Sequence, residues 1–183
     1  RKLSQALQAL GFGQGDVLAT LAWNTHRHFD AWYGITGIGG VYHTLNPRLF
    51  AEQLSYIINH AGDKVIFTDL TFVPILEGIQ KEIPNVKSFI IMTDAAHMPE
   101  TTLSNAHCYE DLIDGQSGDF NWVEVDERAP CGMCYTSGTT GNPKGVCYTH
   151  RSNVLHTLGG NSSDVMGLRS VDSLLPVVPL FHA

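Results

Sequence analysis

Positive charge is scarce in this chain. Lys and Arg number 11 against 18 acidic residues, a net charge of −7 over 183 residues, and the basic residues form no cluster or stripe. Nucleic-acid binding needs such a basic footprint, so that class is set aside. Acidity by itself implies solubility and weak repulsion from anionic surfaces. Long hydrophobic runs are also missing. The most apolar stretch, Phe29 to Leu45, is interrupted by Asp30, His43 and four glycines, which excludes it as a membrane span. None of the nine histidines has H-E-x-x-H spacing. His26, His28, His150 and His156 are therefore read as surface or core residues. Disorder is excluded too, because 43% of the residues are hydrophobic and only 16% charged.

Cysteine is sparse, with Cys108, Cys131, Cys134 and Cys147 the full set. Cys131 and Cys134 form a C-x-x-C pair. On one strand, residues three apart point to opposite faces, so a shared disulfide or metal is disfavoured. Small buried thiols are the expectation, and reduced thiols fit a cytoplasmic protein. The Asn161-Ser162-Ser163 sequon is taken as chance on the same ground. The chain opens on Arg1 without a visible leader and closes on Ala183; both ends look cut.

The periodicity alternates between two kinds of element. Leu3, Ala6, Leu7 and Leu10 stand at helical spacing, stopped by Gly11 and Gly13. Further helices are expected over His28–Ile38, around Leu54–Ala61, over Phe72–Ile83 with Pro74 in the first turn, over Tyr109–Ile113, and from about Ser152 to Ser162. Gly34 and Gly37 in the second helix would permit close packing. Strands are expected at Val17–Trp23, Val41–Thr44, Lys64–Thr68, Lys87–Thr93, Cys131–Tyr135, Val146–Thr149 and Leu174–Val178. Asn46-Pro47 marks a turn. Asp94–Ala106 reads as loop and Gly115–Glu127 as connector. Such alternation indicates an α/β fold, a layered and mostly parallel sheet flanked by helices. In these folds ligands sit beyond the carboxyl ends of the strands.

One segment falls at that place. Tyr135 to Val146 packs Thr136, Ser137, Thr139 and Thr140, three glycines and Lys144 into a dozen residues. Glycines let a backbone approach a ligand closely. Hydroxyls and exposed N–H groups donate to phosphate oxygens, and Lys144 adds a mobile charge. A Walker A loop reads G-x-x-x-x-G-K-[ST] and leads into a helix. Here no Ser or Thr follows Lys144, and strands are expected on both sides. The donors are thus N–H and hydroxyl groups rather than a helix terminus. A polar Gly/Pro turn is the plain alternative.

The segment resembles the phosphate-binding motif of the acyl-adenylate-forming superfamily. The likeness extends over nearly the whole chain. It includes Gly15-Asp16-Val17 to Asn24, Leu45-Asn46-Pro47-Arg48-Leu49, Tyr148-Thr149-His150-Arg151-Ser152 and Pro179-Leu180-Phe181-His182. The wording of Asn24 to Leu49 and of Ala96-His97-Met98-Pro99 is similar to fatty acyl-CoA synthetases of the 3-methylmercaptopropionyl-CoA ligase type. The resemblance implies ATP, Mg²⁺ and CoA, with a carboxylic acid activated as acyl-AMP and then passed to the CoA thiol. It assigns Thr136, Ser137, Gly138, Thr139, Thr140, Gly141 and Lys144 to the ATP phosphates, with Thr136 also beside Mg²⁺, and His182 to the acyl pocket. Residues 1–183 would form part of the large N-terminal domain. The acidic motif, the ribose-binding Asp and the C-terminal domain with its lysine are not in this sequence, so no catalytic residue is assigned and the chain alone is expected to be inactive. The runner-up readings are an adenylating enzyme serving a carrier-protein thiol, a non-catalytic nucleotide-binding module, and a redox protein using Cys131 and Cys134.

Overall fold

A seven-stranded sheet organises the chain in the order β5-β4-β3-β1-β2-β6-β7. The computed structural model describes residues 1–136 and 142–182. The strands are β1 (Val17–Leu21), β2 (Val41–Thr44), β3 (Val65–Thr68), β4 (Ser88–Ile91), β5 (Ala106–Cys108), β6 (Pro130–Thr136) and β7 (Lys144–Thr149). The first six pair in parallel, and β7 runs antiparallel to β6. Central strands of such a sheet are buried on both faces and read as continuous apolar runs. Val65-Ile66-Phe67-Thr68 and Ser88-Phe89-Ile90-Ile91 are buried at every position.

The helices are α1 (Lys2–Ala9), α2 (His26–Gly37), α3 (Ala51–Ala61), α4 (Val73–Ile79), α5 (Tyr109–Asp114) and α6 (His150–Gly160). One core layer joins Leu54, Ile57 and Ile58 of α3 and Leu76 of α4 to Ala19, Leu21 and Ile66 of the sheet. The opposite layer joins Leu3 and Leu7 of α1 and Ile35 of α2 to Leu18, Phe67 and Ile90. Successive strand residues point to opposite faces, which is why neighbours such as Phe89 and Ile90 belong to different layers.

Local chemistry fixes the element ends. Thr25 caps α2 by accepting from the His28 N–H at 3.2 Å. Pro74 sits in the first turn of α4, where its missing N–H costs nothing. Gly62 ends α3 with φ of 75°, a left-handed value that disfavours other residues. Asn46 forms the expected turn by accepting from the Arg48 N–H at 2.9 Å. The close-packing role expected for Gly34 is explicit: a Cβ there would lie 2.4 Å from Leu3 Cδ2.

Two sequence expectations fail. The Asp94–Ala106 loop runs into a strand, β5, at its last residue. Three residues at a sheet edge carry too little pattern to reveal a period. The expected strand Leu174–Val178 is absent. That run crosses the carboxyl edge of the sheet with Val177 at 82% exposure, and its carbonyl groups bond the Asn24 side chain rather than a neighbouring strand. β-branched composition marked the run as extended but did not supply it with a strand partner.

Candidate functional site

The motif occupies a β-hairpin. β6 ends at Thr136, β7 begins at Lys144, and these two residues pair across the ladder, with the Thr136 hydroxyl donating to the Lys144 carbonyl at 3.5 Å. Ser137, Gly138, Thr139, Thr140 and Gly141 lie outside the described residues. Thr136 and Lys144 are exposed. The expectation of strands on both sides of the loop is met, and Thr136, the last residue of β6, lies at the carboxyl edge of the parallel strands.

Tyr135 anchors the base of this hairpin. It pairs with Gly145, and its ring lies so close that a Cβ on Gly145 would be 3.0 Å from it. Its hydroxyl shares a 2.6 Å hydrogen bond with His60 Nδ1 near the end of α3. Burial, followed by the charges of Asp63, Tyr56 and Cys147, pushes its pKa up to about 12. The phenol therefore keeps its proton and can donate to a neutral imidazole. The ring also packs on His43, with centroids 5.2 Å apart.

His43 and Asp63 form a pair that sequence reasoning missed. Both side chains are fully buried, and His43 Nδ1 lies 2.9 Å from each carboxylate oxygen of Asp63. His43 Nε2 is buried without a partner. Burial raises the Asp63 pKa and the His43 charge and hydrogen bond oppose it. The residues are 20 apart, and nothing local in sequence joins them. His28 is the other buried histidine. It donates from Nδ1 to the Trp23 carbonyl at 3.0 Å, accepts at Nε2 from the Thr20 hydroxyl at 2.9 Å, and burial lowers its pKa. It is a neutral core residue, as expected for a histidine without ligand spacing.

Two cavities meet at His182. The first, about 370 Å³, opens among Thr44, Asn46, Gln53, Tyr135 and Thr136. The second, about 400 Å³, is walled by Phe29, Trp32, Tyr33, Tyr42 and Leu180. His182 borders both. Of its neighbours, Leu180 lines the aromatic cavity and Phe181 the polar one. Arg151, adjacent to the hairpin in sequence, is engaged with Glu127.

The thiols match the argument from strand geometry. Cys131 accepts from Asn153 Nδ2 at 3.1 Å, while Cys134 borders the first cavity and donates to the Tyr148 hydroxyl at 3.7 Å. All four cysteines are free. Cys108 and Cys131 are buried as expected; Cys134 is half-buried and Cys147 exposed, against that expectation. Among the described residues no group of three or more His, Cys, Asp or Glu could hold a metal ion. Among the same described residues, no helix is long and apolar enough to cross a membrane.

A family model described as AMP-binding enzyme matches residues 1–183, the whole chain. The chain belongs to the AMP-binding enzyme family. It is 47% identical over 182 residues to the medium-chain-fatty-acid–CoA ligase of Ectopseudomonas oleovorans, covering 100% of this chain and 33% of that protein. It is 44% identical over 182 residues to the 3-methylmercaptopropionyl-CoA ligase of Ruegeria pomeroyi, covering 100% of this chain and 34% of that one. The chain thus spans about a third of the length of these relatives. Among solved structures, the inhibitor-bound N-terminal domain of FACL13 from Mycobacterium tuberculosis superposes with a TM-score of 0.81 at 28% identity, over 99% of this chain and 42% of that one. The mostly parallel sheet is thereby the fold found in the N-terminal domain of adenylate-forming acyl-CoA ligases, and the family match extends over the whole chain.

Proposed function

We propose that the full-length protein is an ATP-dependent acid–thiol ligase, and that residues 1–183 form part of its large N-terminal domain. The observation that carries this reading is the hairpin bearing Thr136 and Lys144 at the carboxyl edge of the parallel sheet, beside a cavity ending at His182. Names of the relatives support a fatty or related carboxylic acid as substrate and CoA as acceptor.

The chemistry has two displacements. A carboxylate oxygen attacks the α-phosphorus of ATP; the bond to the β-phosphate breaks and pyrophosphate leaves, giving acyl-AMP. The thiolate sulfur of CoA then attacks the acyl carbon and AMP departs with the electron pair. In the first step charge builds on pyrophosphate. Lys144, with the hydroxyl and N–H donors of 136–141, neutralises it where it forms. Tyr135, pinned to His60 and stacked across Gly145, holds the base of that hairpin in register. His182 meets the carboxylate between the polar and aromatic cavities, and the aromatic wall accepts the apolar chain.

Mg²⁺ dehydrates reluctantly and is held through one or two carboxylates, substrate phosphates and water; of the residues described here, the exposed Thr136 hydroxyl would be one donor to it. When bound, the ion offsets phosphate charge. Four free thiols suit a reducing compartment and support a cytoplasmic setting. The test is isotope exchange between pyrophosphate and ATP with a panel of acids, followed by AMP release on adding CoA. Acid-dependent exchange and CoA-dependent AMP are expected. Release of ADP and phosphate, or exchange indifferent to acid, would refute the proposal.

A further inference from the structure

The segment that carries His182 has few bonds to secondary structure. Residues 174–182 form no strand, and Leu174, Leu175, Val177 and Val178 are largely exposed. Its path is nevertheless fixed, chiefly by one side chain. Asn24, just beyond the end of β1, donates from Nδ2 to the carbonyls of Pro176 at 3.3 Å and Val178 at 3.0 Å, and accepts at Oδ1 from the Leu180 N–H at 2.7 Å. A primary amide offers both donors and an acceptor. Here it does for an irregular segment what a neighbouring strand would do for a β-strand. Thr44, at the end of β2, adds a 3.1 Å bond from its hydroxyl to the Phe181 carbonyl. Two adjacent parallel strands thus grip the backbone immediately before His182.

We infer that Asn24 is a positioning residue for the acid substrate, acting through His182. It touches neither cavity: the lining of each includes His182 but not Asn24. Its effect is to set where the segment crosses the strand ends and therefore where the imidazole stands between the polar and aromatic cavities. The Asp that retains the acceptor would lose both donors and face two carbonyl oxygens, so the amide is required. This inference rests on the acid-binding role given to His182 above.

The experiment is a double-mutant cycle in the full-length enzyme with Asn24→Ala, His182→Ala and the pair, read as KM for acid and KM for ATP. Asn24→Ala should raise KM for the acid roughly 10-fold, the scale of a few lost hydrogen bonds, and leave KM for ATP unchanged. In the His182→Ala background it should add nothing further. Hydrogen exchange in the full-length enzyme supplies a readout independent of catalysis: the Leu180 amide should lose protection in Asn24→Ala. Additive losses in the cycle, an equal rise in KM for ATP, or an unchanged Leu180 amide would each overturn the inference. If His182→Ala leaves KM for the acid unchanged, the role of His182 falls instead, and Leu180 protection alone decides whether Asn24 holds the segment.

Discussion

Replacing His43 by Leu should cost far more than the loss of a packed ring, because it strands a charge. Asp63 is 0% exposed, and its bonds are to His43 Nδ1, 2.9 Å from both oxygens. Removing one partner of a buried ion pair costs about 3–5 kcal/mol, since the other is left uncompensated. Adding Asp63→Asn should recover part of the loss, because an unpaired buried amide costs only about 1–3 kcal/mol. The pH dependence separates charge from packing. Burial already lifts the Asp63 carboxyl above its usual value, and His43 is what opposes it. A folded pKa above the unfolded one gives a contribution that is present at low pH and lost as pH rises through the folded value. Without His43 the lift grows, so the deficit of His43→Leu should be largest well above the ordinary carboxylate range and shrink on acidification toward it, with a slope of at most about 1.4 kcal/mol per pH unit. Urea unfolding followed by tryptophan fluorescence measures both quantities. A loss under about 1 kcal/mol, or a deficit that grows on acidification, would refute the charge argument.

Other expectations follow from the same structure. Lys144→Ala in the full-length enzyme should slow adenylation by roughly 30- to 1000-fold, the equivalent of about 2–4 kcal/mol, and spare thioester formation from preformed acyl-AMP; single-turnover kinetics separates the two steps. Gly34→Ala should destabilise by about 1–3 kcal/mol through overpacking against Leu3, exceeding the gain of about 1 kcal/mol in helix propensity; urea midpoints compare the two chains. Alkylation followed by peptide mass spectrometry should modify exposed Cys147 well before Cys131, whose thiol is pushed up by burial and holds less thiolate. Oxidation should not produce a Cys131–Cys134 disulfide, since the two side chains address different neighbours.

Much of the fold was legible because its elements are local and strongly patterned. The buried run Leu18–Leu21 of β1, the amphipathic spacing of α3 and the fully buried β3 each announce themselves over one short window. The strands flanking the loop were also legible, since β6 and β7 are each a short run of apolar, aromatic or β-branched residues. β5 was not, being three residues long, and the false strand at Leu174–Val178 shows that β-branched composition specifies extension without specifying a partner.

By itself the sequence determined the alternation of strands and helices, the hairpin that carries Thr136 and Lys144, and the family, all of which reside in contiguous residues. Only the tertiary structure decided which distant side chains meet. His43 finds Asp63 across 20 residues, Tyr135 finds His60 across 75, and Asn24 grips the Leu180 backbone across 156. The first two tie residues of β2 and β6 to the end of α3, and the third ties the turn after β1 to the irregular 174–182 segment. The order β3-β1-β2-β6 sets these residues, far apart in the chain, side by side. Residue type records that a histidine or an asparagine has bonds to make; strand order determines with what.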